Sequence, residues 1–274
     1  MEYLLFRLYG PLASWGEIAV GESRHTADSP SKSSLLGLLA ASIGIRRDEE
    51  ERQMALAIGY KFAVKVMGIG SLLRDYHTTQ VPDSVGGYTY RTRRDELVIG
   101  KERLGTILSS REYRCDALYL VAVKALEGAP YPLSELKEHL LKPRFHLYLG
   151  RKSCPLSIPL APVVILANCF GEALDSYRHT PLYISQGLLS AAQKECAGGA
   201  LADAPSLGSL SREDRYALSL KSQQVRYYWE GDTGEFRDTA EGVLTLTRHD
   251  QPLSRRRWQF TQRSEKLTMA KEDS

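Results

Sequence analysis

Four apolar stretches with the two-residue period of a strand, interleaved with helical patterns, do most to limit what this chain can fold into. YLLFRLY at residues 3–9 sets Leu4, Phe6 and Leu8 on one face and Tyr3, Leu5, Arg7 and Tyr9 on the other, and Gly10 and Pro11 end the run. KFAVKVMG (61–68) alternates through Phe62, Val64 and Val66; ALYLVAVKAL (117–126) reads as a longer buried strand, and VVILANC (163–169) as a fourth. After the first strand, SPSKSSLLGLLAASIGI puts hydroxyl residues ahead of an apolar run that Gly44 stops, which predicts a capped helix. DEEERQMALAIG predicts a short second helix with acidic residues in its first turn. LSELKEHLLK, between Pro132 and Pro143, predicts an amphipathic helix ahead of the last strand. Strand, helix, strand, strand, helix, strand is the split βαβ order of an α+β, ferredoxin-like (RRM-like) domain. In it the helices cover one face of an antiparallel sheet and leave the other available, and RNA-recognition modules use such a face and its loops.

The domain predicted in this way ends near residue 170. Residues 171–274 form a small, mostly β C-terminal extension, with strands at VRYYWEGD (225–232), GVLTLTRH (242–249) and around RRRWQFTQR. AAQKECAGGALADAPSLGSL, inside a flexible insertion at about 178–224, is rich in Ala, Gly and Ser and reads as a short helix running into a flexible linker, and the tail KEDS is expected to be disordered. At 274 residues and 43% hydrophobic content the chain is long enough for a real core, which excludes a fibrous or disordered class. The N-terminal segment carries Arg7 and lacks both a long apolar core and a cleavage site, so no leader or membrane anchor and a cytoplasmic location are expected. Cys115, Cys154, Cys169 and Cys196 are scattered without a CxxC pair, which argues against zinc and a disulfide framework. Cys115 and Cys169, at the ends of apolar runs, are expected to be buried as small hydrophobes. No cofactor or metal is expected.

The formal net charge is only +3, so any nucleic-acid footprint must come from where the charges sit. One place is the stretch from about 70 to 115, too long for an ordinary connection. It carries Arg74, Arg91, Arg93, Arg94, Lys101, Arg103, Arg111 and Arg114, interleaved with Tyr76, His77, Tyr88, Tyr90 and Tyr113. Cations for phosphates beside aromatic faces for bases are what single-stranded RNA recognition needs; the alternative is a solvated hairpin whose cations pair with Asp75, Asp83, Asp95, Glu96 and Glu102. A second place is Arg24, His25, Thr26, Ser31, Lys32, Ser33 and Ser34, ahead of a helix whose free amides make a phosphate seat or are simply capped by one serine. The third is Lys142, Arg144, Arg151 and Lys152 around Tyr148 and Gly150, a glycine that allows close backbone approach. A fourth basic set, Arg255, Arg256, Arg257 and Arg263 around Trp258 and Phe260, fits a basic edge strand equally well. His77 beside Tyr76, or His146 near Arg144, offers a base for metal-independent RNA cleavage. No carboxylate pair, metal-ligand cluster, phosphate loop or GxSxG elbow accompanies them, so the chain is expected not to be an enzyme.

These segments carry a resemblance. LYGPLASWG, SRHTADSPSKSSLLGLLAASIGIRRDEEE, LRDYHT, REYRCDALYLVAV and LKPRFHLYLGRKSCPLSIPL, in that order, are similar to the subtype I-E (CasD) branch of the Cas five family within the RAMP superfamily. The likeness covers residues 1 to about 170 and resumes around YYWEG, VLTLTRHDQP and RRWQFTQR. It implies a ferredoxin-like domain with a β-hairpin thumb, here about 74–114. It further implies a non-catalytic subunit of a type I-E CRISPR surveillance complex (Cascade) that caps the 5′ handle of the crRNA and contacts the backbone and large subunits, near the flanking motif of the target DNA. By matching position it points to Trp15 and the Arg24–Ser34 segment as handle-facing. It points also to Arg74, Tyr76 and His77 at the start of the thumb, and to Arg144, Tyr148, Gly150, Arg151 and Lys152 in a glycine-containing loop. With Arg91, Arg93, Arg94 and Arg111 of the thumb these make the expected RNA-binding set. The subtype I-C relatives imply an alternative, a metal-independent crRNA-processing endoribonuclease. A generic RNA-recognition protein outside CRISPR is the third possibility, since fold does not fix function.

Overall fold

The computed structural model describes residues 1–177, 224–237 and 242–271, apart from residues 18, 20, 85 and 88. The expected flexible insertion up to residue 223, Cys196, Tyr88 and the last three residues lie outside the described residues.

The chain opens with strand β1 (Glu2–Tyr9) and two short strands, β2 (Leu12–Ala13) and β3 (Ser23–Arg24). Helix α1 (Lys32–Ile43) begins where the hydroxyl cluster predicts: the Ser31 side chain accepts from the Ser34 amide at 3.2 Å. It ends on Gly44, whose φ of 91° is the left-handed turn that lets its N–H return to the Ala40 carbonyl. Helix α2 (Glu50–Gly59) has Glu50 and Glu51 in its first turn, and strand β4 (Tyr60–Gly68) follows directly. The long connection is a hairpin of β5 (Ser71–Pro82) and β6 (Leu104–Cys115), paired along their whole lengths, with a short helix α3 (Arg93–Leu97) at its tip. A capping box of Thr92 and Asp95 starts that helix. Then come β7 (Leu118–Ala125), α4 (Leu133–Leu141), β8 (Val163–Leu166) and α5 (Phe170–Ser176). The C-terminal part supplies β9 (Gln224–Trp229), the short α6 (Thr233–Phe236), β10 (Leu244–Ser254) and β11 (Gln259–Lys271).

Seven of these strands make one antiparallel sheet in the order β10-β11-β9-β4-β7-β1-β8. The C-terminal strands therefore extend the sheet of the first part of the chain, with β9 pairing directly on β4. A second sheet is built on the hairpin: β6 pairs with β5 along one edge and with β2 and β3 along the other. The architecture is mixed α+β with a large antiparallel sheet and few helices.

Both faces of the large sheet are covered. Leu4, Phe6, Phe62, Val64, Val121 and Val123 pack against Leu35, Leu39, Leu56, Leu136 and Leu140 of α1, α2 and α4. The opposite face, with Tyr3, Leu5, Ala63, Met67, Leu120 and Ala122, is closed by Phe170 and Leu174 of α5 together with Tyr177 and Phe236. The expectation of an open sheet face is thus corrected: the segment after β8 turns back over it, and the apolar residues on that side are buried beneath α5. Cys115 and Cys169 are half-buried and not core residues, since Cys115 ends the hairpin and Cys169 sits at the start of α5, whereas Cys154 is fully buried.

Candidate nucleic-acid interface

With the sheet closed, the cations of the described residues that gather on one surface sit on loops and edges. A groove of about 1980 Å³ runs between α1, the 144–155 loop and the β10–β11 hairpin. Arg24, Arg46, Arg47, Arg144, Lys152, Arg248 and Arg255 line it, against only Glu17 and Asp250 among the acids. Both acids are engaged: Glu17 pairs with Arg248 at 3.0 Å and Asp250 with Arg263 at 2.6 Å. Among the described residues Arg24, Arg46, Arg47, Arg144, Lys152 and Arg255 form no ion pair, so six cations lie along the groove with no carboxylate in contact. Uncompensated charge that no carboxylate holds is the arrangement that attracts a polyanion.

Local structure explains how they converge. Gly44 turns the chain out of α1 so that Arg46 and Arg47 emerge at the groove, and Arg144 packs across it; a Cβ on Gly44 would stand 2.6 Å from Arg144 Cδ. Gly150 has a φ of 83°, and a Cβ there would collide with the Ser14 carbonyl. Its glycine is required by packing on the protein's own backbone, a different role from the approach to phosphate expected of it.

The expected residues divide into three groups. Arg24, Ser31, Ser33, Arg144, Tyr148, Gly150 and Lys152 line the groove together. Arg74, Tyr76, His77 and Arg111 are exposed along the hairpin strands, and Arg91, Arg93 and Arg94 stand at its tip, none of them lining the groove. Between the two surfaces lies a small network: buried Glu112 accepts from Arg74 Nη2 at 2.8 Å and faces His25 Nδ1 at 3.2 Å. Burial raises the Glu112 pKa, but the hydrogen bonds from Arg74, His25 and the Thr26 amide outweigh it and hold the carboxyl below its usual value. Arg151 stacks 5.0 Å over the Tyr113 ring beside it.

The third group, Trp15, Thr26 and Lys32, is turned inward and held by the protein itself. Trp15 is buried edge-to-face against Tyr119 at 5.5 Å, and its amide donates to the Oγ1 of buried Thr26 at 2.9 Å. Lys32 is buried with its Nζ 2.7 Å from Glu230 Oε2. Ser31, also buried, caps α1, and the Lys32 amide donates to Asp250 Oδ2 at 2.6 Å, so this helix start is already served by protein oxygens. Hydroxyls and a lysine before a helix do not reveal from sequence that a strand some 220 residues later supplies the anion.

The groove also takes in Arg46, Arg47 and Arg248, which no sequence motif singles out, and Arg255 and Trp258 of the fourth basic set. The signal for Arg46 and Arg47 was present, two arginines just past the helix-ending Gly44, but the acidic run after them masked it.

This geometry meets the comparisons with known proteins at the same segments. A family model described as CRISPR-associated protein (Cas_Cas5) matches residues 3–264. The chain belongs to the CRISPR-associated Cas5 family. That span runs from within β1 into β11 and takes in every residue lining the groove. The Cascade subunit CasD of Escherichia coli (strain K12) is 39% identical over 158 residues, which is 58% of this chain and 69% of that protein. Among solved structures, a chain of a "CRISPR RNA-guided surveillance complex" matches with a TM-score of 0.54 at 22% identity, over 98% of this chain and 90% of that one. A "Crystal structure of Cas protein" matches with a TM-score of 0.52 at 24% identity, over 98% of this chain and 95% of the other. At these identities the two structures speak to the Cas5 fold alone. Among the described residues no helix is long and apolar enough to cross a membrane.

Proposed function

We propose that this Cas5-family chain is a non-catalytic subunit of a type I-E surveillance complex (Cascade), acting in the cytoplasm in defence against foreign DNA, and that its basic groove seats the 5′ handle of the crRNA. The observation that carries the reading is the set of six cations on one groove that form no ion pair among the described residues, in a chain whose net charge is only +3. A protein charge left without an internal partner gains most from phosphate, because binding releases condensed counterions and breaks no ion pair. The E. coli relative is by its name a Cascade subunit, which supports other Cascade subunits as partners; the backbone and large subunits and target DNA near the flanking motif are the partners proposed.

Residues 1–170 read as the ferredoxin-like RAMP domain and 171–274 as its extension. Strands β4, β7, β1 and β8 lie side by side in the order that a split βαβ unit predicts. The β5–β6 hairpin is then the thumb, with Arg74, Tyr76, His77, Arg91, Arg93, Arg94 and Arg111 on a surface of its own for RNA or neighbouring subunits. Guide pairing reads sequence, and this subunit holds one RNA end in a fixed shape.

The alternative of a processing endoribonuclease is kept by one observation, the exposed His25 beside buried Glu112 and Arg74. The deciding experiment incubates the purified chain with labelled repeat-containing RNA in EDTA, with His25→Ala and His77→Ala variants alongside. Salt-sensitive binding with intact RNA is expected; cleavage within the repeat that either substitution abolishes would replace the proposal with the nuclease.

A further inference from the structure

The turn that joins β10 to β11 holds an unusual tryptophan. Trp258 is 57% exposed and has a φ of 57°, while the other two tryptophans, Trp15 and Trp229, are 1% and 0% exposed. A left-handed backbone at a bulky residue is disfavoured, and an exposed indole contributes little to the core in return. The Arg47 guanidinium lies over this indole, 4.9 Å from the ring centroid, and Phe260 meets it edge-to-face at 5.4 Å. All three residues line the basic groove.

Arg255, at the start of the same turn, is mostly buried against α1. Its Nη2 donates to the Ser33 carbonyl, and Gly37 makes the room: a Cβ there would stand 3.3 Å from that nitrogen. Its Nε is buried without any hydrogen-bond partner. Burial, reinforced by the neighbouring charge of Arg47, lowers its pKa to about 10. The charges of Arg47 and Arg255 repel each other at one end of the groove, and an anion that reaches both relieves that repulsion.

We propose that Arg47, Arg255 and Trp258 form a single-nucleotide subsite, which takes a phosphate between the two guanidinium groups and stacks the attached base on the indole. The subsite rests on the reading of the groove as a seat for single-stranded RNA and adds to it where one nucleotide is gripped. A base inside a duplex cannot lie on a side chain, so the ligand is an unpaired nucleotide. Stacking accepts any base face, so the subsite fixes position and not sequence.

Because the other tryptophans are buried, the change in emission on binding reports Trp258. The experiment titrates the full chain with a single-stranded RNA carrying the repeat-derived 5′ end, following tryptophan emission and, with a fluorescein-labelled copy, anisotropy. Wild type, Trp258→Ala and Trp258→Phe are compared, on this RNA and on one made abasic at successive positions; circular dichroism checks folding. The expected result is quenching on binding, roughly tenfold weaker binding for Trp258→Ala, and near-wild-type binding for Trp258→Phe, whose ring still stacks. On the RNA made abasic at the gripped position, wild type and Trp258→Ala bind alike. Tight binding with unchanged emission, equal in wild type and Trp258→Ala, overturns the subsite and leaves the groove reading standing. Absence of binding to any single-stranded RNA by the wild-type chain overturns both.

Discussion

Replacing Arg46 and Arg47 together by glutamine tests the electrostatic account of the groove in one stroke. Both side chains face the groove and neither forms an ion pair among the described residues, so the change removes two of the six uncompensated charges without leaving a carboxylate stranded. If each of the six cations meets one phosphate of a single strand, log K falls against log salt with a slope of about −4, since each contact contributes roughly −0.7. Raising salt from about 50 to about 200 mM then weakens native binding by roughly 300-fold. The double variant has a slope of about −3 and loses only roughly 50-fold over the same range. Fluorescence anisotropy of a labelled single-stranded RNA across a salt series reads both slopes. With an RNA no longer than the groove, replacing Arg91, Arg93 and Arg94 at the hairpin tip provides the comparison, because those residues lie off the groove and such a strand cannot reach them at the same time. Equal slopes for the native chain and the Arg46/Arg47 variant, or a native slope shallower than about −1, would refute the reasoning.

Other consequences are structural. Gly150→Ala adds a left-handed alanine and a collision with the Ser14 carbonyl; a loss of about 2–3 kcal/mol, read by thermal or urea unfolding, is expected. Lys32→Met alone strands the buried Glu230 carboxylate and costs about 3–5 kcal/mol, whereas the double change with Glu230→Met recovers most of it, a difference that a double-mutant cycle measures. Glu112 is held below its usual pKa, so its network stabilises the fold at neutral pH and that contribution is lost as pH falls through the lowered value. Glu112→Gln is therefore less stable than the native chain at pH 7, and the two melting temperatures converge in acid.

The strands were easy to read because their signal is local. Alternation at 3–9 and 61–68 gives β1 and β4 to within a residue, and Ser31 and Gly44 mark the ends of α1 as its capping chemistry requires. The error about the sheet's second face was also open to correction from the sequence. Leu118, Leu120 and Ala122 lie on the side opposite Tyr119, Val121 and Val123, and a strand apolar on both sides is one that is buried on both sides. What the sequence could not supply was the cover itself, since α5 follows β8 and nothing local says over which face it folds.

The groove was hard to read for a different reason, because ion pairing is decided in three dimensions. Arg46 and Arg47 stand directly before Asp48, Glu49, Glu50 and Glu51, and on paper four acids neutralise two bases. In the fold Glu49 turns to Arg52 at 2.6 Å and accepts from the Arg46 amide, while Glu50 and Glu51 occupy the first turn of α2, leaving both guanidinium groups to the groove. The reverse holds for Lys32, which looks free beside a helix start and is instead paired with Glu230. Arg248 is likewise held by Glu17 and Glu265, and Arg263 by Asp250 and Glu265. A net charge of +3 therefore conceals both kinds of cation, those spent on holding the C-terminal hairpin to α1 and those kept free along the groove that this attachment closes. The first set helps to shape the second: Arg263 holds Asp250, which accepts from the Lys32 amide at the start of α1, and with the Arg255 bond to the Ser33 carbonyl this sets the turn carrying Trp258 opposite Arg47.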